Sequence, residues 1–293
     1  MTWITQRVFE IQLRKIQATK RRDPASAQAK ISNLKYDCDP AWVSKQLQRG
    51  IVHDQDFALF GRLNDGSALV LDVGANWGYS VCSMRSSGCR NPILSLEVLP
   101  ALMPCLEVLK AIAPNSNDCI NVGVGSVQGE LNFYSPVLGN TVVTALTTAK
   151  FMQMTDSELS LLARNLVEHL QRHLGLFHSW HLSIVENTVK TDKLDNVLEG
   201  YDGPLPTSSI GAIKIDVEGF EHEVLRGASN TIARDLPILM IEGGNRNPDV
   251  KSFLDQHGYK EFVLQSGTIV PHSGLSEGLN GLFFHPDGQR LQL

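Results

Sequence analysis

Five short, nearly continuous apolar runs constrain this chain more than any other feature: "ALVLDVG" (68–74), "PILSLE" (92–97), "CINVGVG" (119–125), "IGAIKID" (210–216) and "PILMIEG" (237–243). A strand with one wet face alternates apolar and polar residues, whereas a strand covered on both faces reads as an unbroken apolar run. Helical stretches separate these runs, so the pattern predicts a parallel sheet in a doubly wound α/β domain with helices on both faces. Four of the runs carry an acid at or near the carboxyl end: Asp72, Glu97, Asp216 and Glu242. Open α/β sheets bind ligands beyond the carboxyl ends of their strands, so the acids gather where chemistry is expected.

The helices between the runs can be placed from spacing and punctuation. Trp77, Val81 and Met84 fall at helical intervals after Gly78, and Gly88 supplies a stop. "GFEHEVLRG" (219–227) reads as a short acidic helix, and "PDVKSFLDQHG" (248–258) opens with Pro and closes with Gly. "YKEFVL" and, past a loop rich in Gly and Ser, "GLNGLFFHP" would complete the sheet as a hairpin. Residues 130–200 break the alternation with strand-like "ELNFYS" and "TVVTALTT", a helix, and then "ENTVKTDKLDNVL". Thr155 with Glu158 forms a capping box ahead of a stripe at Leu159, Leu162, Leu166, Leu170 and Leu174. The chain therefore divides into a helical extension over 1–65 and an α/β domain over 66–293. An insertion at about 130–200 is expected to pack over the sheet's active edge.

Composition excludes some functions. With 42% hydrophobic and 19% charged residues the chain can bury a substantial core, and its formal net charge of -5 argues against a nucleic-acid binder. Small molecules or proteins are the expected partners. Cys38, Cys82, Cys89, Cys105 and Cys119 contain no C-x-x-C pair and read as reduced thiols of a cytoplasmic protein. No run reaches the length of a membrane span, and the first residues lack the apolar region of a signal peptide. In that segment Ile4, Val8, Ile11 and Leu13 interleave with Arg7, Arg14 and Lys15. This reads as a docking helix with a solvated basic face, with a membrane-surface helix as the sharper alternative.

The turn in "LVLDVGANWGYS" (69–80) joins a strand to a helix N-terminus, where glycine lets a ligand approach backbone N–H groups. A dinucleotide fingerprint needs G-x-G-x-x-G, but counting from Gly74 the third and sixth positions are Asn76 and Tyr79. Asp72, Gly74, Asn76 and Gly78 instead match the acid-x-G-x-G-x-G pattern of S-adenosylmethionine methyltransferases, with Asn in the middle slot. The ammonium of that cofactor suits an acidic strand end. Glu97 lies where an acid accepts hydrogen bonds from ribose hydroxyls.

"DVGANWGYS", "IKIDVEGFEHEVLRGA" and "LPILMIEG" together resemble the FkbM family of S-adenosylmethionine-dependent methyltransferases, over about residues 66–285. The resemblance implies a class I (Rossmann-like) methyltransferase fold, with a seven-stranded, mostly parallel sheet whose last strand is antiparallel. It implies S-adenosyl-L-methionine as cofactor and O-methylation of hydroxyls on sugars, polyketides or other natural products, which narrows the expected partner to a small-molecule or glycan acceptor. The cofactor role would fall on Asp72, Gly74, Asn76, Gly78 and Glu97, and the loop near Asn121 and Gly123 would meet the adenine. That loop lacks the acid many methyltransferases place there. The first 60 residues and the segment 150–182 carry no family pattern.

Methyl transfer is an in-line displacement, so the protein must align an acceptor and take up its proton. Lys214 and Asp216, two apart on a strand, share a side, and Asp216 is the expected acceptor-facing acid. Glu218, Glu242, Glu221 and His222 are its alternates, with Asp216, Glu218 and Glu242 preferred for catalysis. No metal is expected: Asp216 and Glu242 alone are a thin set for Mg²⁺. The histidines His169, His173, His178 and His181 suit a helix rim or a lid over the acceptor, where Phe177 and Trp180 would join them, better than a zinc site. Two other readings compete. They are a nicotinamide oxidoreductase, weakened by the missing glycine, and a non-catalytic methyltransferase-like binding protein.

Overall fold

The computed structural model describes residues 2–23, 34–36, 39–63, 66–174, 182–265, 267–272, 280–289 and 291. In chain order the first elements are α1 (Thr2–Arg22), β1 (Lys35–Tyr36), α2 (Pro40–Arg49), β2 (Leu69–Val73), α3 (Tyr79–Ser86), β3 (Ile93–Glu97) and α4 (Met103–Ile112). There follow β4 (Asn117–Asn121), β5 (Gly123–Val124), β6 (Gly129–Leu138), β7 (Thr141–Val142), α5 (Asp156–His169), β8 (Leu182–Asp192) and α6 (Leu194–Glu199). The last are β9 (Ile210–Ile215), α7 (Glu221–Gly227), α8 (Ser229–Asp235), β10 (Ile238–Glu242), α9 (Pro248–Gln256), β11 (Lys260–Gln265), β12 (Thr268–Pro271) and β13 (Asn280–Phe284). They form two compact units, Met1–Asp37 with Leu131–Val189, and Cys38–Glu130 with Lys190–Leu293.

The larger unit holds a mixed sheet in the order β12-β11-β13-β10-β9-β2-β3-β4. β2, β3 and β9 are buried at every residue, as their unbroken apolar runs require. The period of two then sorts their side chains. Leu71, Val73, Ile213, Ile215 and Ile241 face a core with Val224, Leu225, Ile232 and Leu254. Val70, Ile93, Ala212 and Met240 face another with Val43, Phe57, Met84, Leu106 and Leu109. Asp72, Glu97, Lys214, Asp216 and Glu242 are each an even step from this second set, so all five project from one face at the carboxyl edge.

The sheet departs from the expected seven strands. β13 lies antiparallel between β10 and β11, as the hairpin reading anticipated, but Thr268–Pro271 folds back on β11 as an eighth strand through a turn at Gly267 (φ +79°). The run 119–125 is also two strands. β4 closes the sheet, while Gly123 and Val124 pair with Thr191 and Asp192. A Cβ at Gly123 would stand 2.8 Å from the Thr191 methyl carbon, so this approach needs glycine.

The smaller unit has strands in the order β1-β7-β6-β8, with α1 packed on α5. Its core joins Phe9 and Leu13 of α1 to Leu159, Leu162, Leu166 and Leu170. The buried side of α1 is thus set by Phe9 and Leu13, whereas Ile4 and Ile11 of the expected docking stripe lie exposed. The capping box of α5 is complete: Thr155 Oγ1 accepts from the Glu158 N–H, and the Glu158 carboxylate accepts from the Thr155 N–H at 2.7 Å. Thr155→Ala removes one of these reciprocal bonds and the hydroxyl that fixes the other. It should lower the unfolding free energy by about 1 kcal/mol in urea titrations, whereas no change would show that α5 is held by tertiary packing alone.

Candidate active site

The turn after β2 is shaped by the protein's own backbone. Gly74 (φ +76°), Asn76 (φ +49°) and Gly78 (φ +87°) all occupy the left-handed region, which glycine enters freely and Asn tolerates. A Cβ at Gly74 would lie 1.9 Å from the Asp216 carbonyl oxygen, and one at Gly78 would lie 2.4 Å from Leu109 Cδ1. Both positions thus need glycine for close chain crossing and helix packing. The Asn76 N–H donates to Glu97 Oε2 at 2.8 Å, and the Leu99 N–H donates to Oε1 at 2.8 Å. Buried Glu97, whose carboxyl is pushed up by desolvation against these bonds, pins the turn to the end of β3. Asn121 Nδ2 donates to the Glu97 carbonyl at 2.8 Å, which ties the end of β4 to the same corner.

Asp72 sits beneath the turn at 0% exposure. Its Oδ2 accepts a short hydrogen bond from Ser80 Oγ on α3, and its Oδ1 lies 3.4 Å from Lys214 Nζ. Lys214 also meets Asp216 Oδ2 at 3.2 Å and donates to the Gly74 carbonyl at 2.9 Å. Strand register creates this cluster, because Asp72 pairs laterally with Lys214 and Ile215 with Ile241, which carries Asp216 beside Glu242. Burial alone would discharge Lys214, but the two carboxylates more than offset it and keep the ammonium charged. Burial would likewise raise Asp216, yet the Lys214 charge outweighs it and holds the carboxylate ionised.

Glu242 behaves in the opposite way. Desolvation first, then its hydrogen bond to Asp216 and that residue's charge, push it up to about 9. Glu218 stands next to them in the left-handed region (φ +53°); desolvation and then the charges of Asp216 and Glu221 push its carboxyl up, an effect that solvent limits because the residue is exposed. Oxygens of Asp216, Glu218 and Glu242 lie within 4.8 Å of one another, a spacing that could hold a cation, with water completing the six oxygens Mg²⁺ prefers. Glu221 plays another part, since its Oε1 accepts the Gly219 N–H at 2.9 Å and staples the loop after β9. His222 lies 3.8 Å from Glu223 on α7. Of the histidine-rich segment, His169 ends α5, while the His173 side chain, Phe177, His178, Trp180 and His181 lie outside the described residues, as does Cys38.

The FkbM methyltransferase domain model matches residues 72–261. The chain belongs to the FkbM methyltransferase family. A structure of methyltransferase FkbM from Methylobacillus flagellatus KT is 14% identical with a TM-score of 0.44, covering 84% of this chain and 50% of that one. The chain thus spans half the length of that relative. A SAM dependent methyltransferase from Aquifex aeolicus is 10% identical with a TM-score of 0.36, over 84% of this chain and 97% of that one. Precorrin-6y C5,15-methyltransferase from Geobacter metallireducens GS-15 is 11% identical with a TM-score of 0.32, over 89% and 92%. No curated protein matches the chain.

In this FkbM family member the segment after α2 supplies residues that sequence reasoning missed. Gly50 ends α2 in the left-handed region (φ +61°), and the chain then carries "HDQD" toward the acidic edge. His53 Nδ1 lies 2.9 Å from Ser83 Oγ on α3, and the ring packs between Phe57 and Tyr79. Asn280, laterally paired with Glu242, donates to Asp54 and Asp56 at 3.2 Å each. Trp42 meets Trp77 and Tyr79 at 5.6 and 4.2 Å between ring centroids, closing an aromatic wall beside the turn. The available signal was local: a His-Asp-x-Asp cluster after a helix stop.

The proton kept by Glu242 has a signed consequence. A carboxyl raised from its ordinary 4.5 to about 9 stabilises the fold below pH 4.5 relative to higher pH, and that contribution is lost as pH rises toward 9. Glu242→Gln carries a permanently neutral side chain. Its melting temperature relative to wild type should therefore climb between pH 5 and pH 9, while a constant offset would show that Glu242 is ionised throughout.

Proposed function

We propose that this chain is an S-adenosylmethionine-dependent methyltransferase acting on a hydroxyl of a small molecule, sugar or natural-product intermediate. The observation that carries the reading is the polar chemistry of the turn. Asn76 Oδ1 is a buried acceptor without a hydrogen-bond partner, and a methionyl ammonium brings the donor such an acceptor lacks. Glu97 retains lone pairs for ribose hydroxyls after its two backbone bonds, and Asn121 with Gly123 borders the corner assigned to adenine. Asp72 acts from beneath, holding Ser80 and Lys214 in position.

When bound, the cofactor supplies an electrophilic methyl group on a sulfonium. The acceptor hydroxyl then needs alignment and a base on the opposite side. Asp216 fits that role because Lys214 keeps it ionised and it stands at the carboxyl edge, partly open to solvent. Asp216 would take up the hydroxyl proton released when the acceptor oxygen is methylated. Protonated Glu242 hydrogen-bonds Asp216 and moderates its charge. Glu218, exposed at the rim, orients the acceptor.

Isothermal titration with S-adenosylhomocysteine, with NADH as the control, tests this directly. Micromolar binding of the first and none of the second is expected, and Asn76→Ala should weaken it by roughly ten-fold, the worth of about one hydrogen bond. Failure of S-adenosylhomocysteine to bind the folded protein overturns the reading, and binding of NADH alone would return the site to an oxidoreductase.

A further inference from the structure

The side of α1 facing away from its own unit's core is unusual for a solvated helix. Trp3 is 74% exposed, Ile4 55% and Ile11 48%. Ile4, Ile11, Lys15, Ala18 and Arg22 follow one another at intervals of three, four and seven, which places them along one stripe, and Trp3, Arg7 and Arg14 flank it. The opposite side is fully employed: Phe9 and Leu13 enter the core, Gln17 Nε2 donates to the Phe151 and Met154 carbonyls, and Lys20 pairs with Glu186 at 2.6 Å. α1 is therefore anchored in its unit by this opposite side.

Charge separates this helix from the remainder of the chain. α1 carries six of the 26 Lys and Arg residues but one of the 31 Asp and Glu residues, in a chain of net charge -5. That acid, Glu10, is buried and bridged to Arg7 at 2.7 Å, so the helix exposes cations and apolar groups without a carboxylate among them. Arg14 faces Asp156 of α5 at 3.3 Å, and Arg21 donates to the Met152 carbonyl, while both side chains remain accessible.

We propose that the outer stripe of α1 is a docking surface for an anionic lipid bilayer. An interfacial helix lies in the plane of the headgroups with an apolar stripe dipped into the acyl boundary and basic side chains reaching up to lipid phosphates. Trp3 supplies the amphipathic ring favoured at that depth, Ile4 and Ile11 supply aliphatic insertion, and Arg7, Lys15 and Arg22 complement negative headgroups. The remainder of the chain is net acidic, so the cations of α1 are what such a surface would attract. The proposal is independent of the methyl-transfer reading.

Co-sedimentation of the full chain with phosphatidylcholine vesicles, with and without phosphatidylglycerol, tests it. Binding to the anionic vesicles should exceed binding to the neutral ones by about ten-fold or more, from a few cations near the surface. It should be accompanied by a blue-shifted emission that Trp3→Phe abolishes. Trp3→Ser/Ile4→Ser/Ile11→Ser should lose binding with unchanged circular dichroism, since none of the three is buried. Lys15→Gln/Arg22→Gln should keep the fold and lose the preference for anionic lipid. The proposal is overturned if wild type binds neither vesicle, if the triple variant binds as well as wild type, or if the stripe instead drives self-association that the triple variant abolishes in sedimentation velocity.

Discussion

The larger unit depends on one buried ammonium. Lys214 stands between Asp72 and Asp216 and donates to the Gly74 carbonyl, so one side chain joins β2, the turn that follows it and the end of β9. A buried charge deprived of its partner typically costs 3–5 kcal/mol, so the turn is not free to adopt another shape without dismantling the cluster. Ser80 carries the constraint into α3 through Asp72, and Glu97 carries it to β3 by holding the Asn76 N–H. The geometry of the turn follows from satisfying these groups.

The same ammonium sorts the carboxylates by protonation. Asp216, adjacent to Lys214, is held ionised, whereas Glu242, farther from it and beside Asp216, keeps its proton. Two acids of like origin at the ends of neighbouring strands thereby take opposite states, a separation suited to pairing one proton acceptor with one donor. Asn280 occupies the lateral position next to Glu242 and binds Asp54 and Asp56, which extends the acidic edge to the segment after α2. His53, held at Ser83, is the imidazole this segment brings beside the edge.

Much of this was legible because it is local or periodic. Unbroken apolar runs announced the buried parallel strands, their terminal acids announced a shared acidic edge, and Thr155 with Glu158 marked the start of α5 to the residue. Other features depend on which surfaces meet. Ile4 and Ile11 have the spacing of a buried stripe as surely as Phe9 and Leu13 do, and only the tertiary partner α5 decides between them. The division of 119–125 into two strands follows from the pairing of Gly123 with Thr191, about seventy residues away in sequence. The turn's need for Asp72 and its glycines is visible in the sequence, but the neighbours Lys214, Asp216 and Leu109 come from distant elements. His53, Asp54 and Asp56 carry no periodic signal at all.

A double-mutant cycle between Asp72 and Lys214, read by chemical denaturation, tests the central claim most directly. Lys214→Met should strand the carboxylates and lower stability by about 3 kcal/mol or more. Adding Asp72→Asn should restore part of that loss, with a coupling of at least ~1 kcal/mol. If Lys214→Met were as stable as wild type, or if the two substitutions were additive, the ammonium would not be what holds the turn and its acids together.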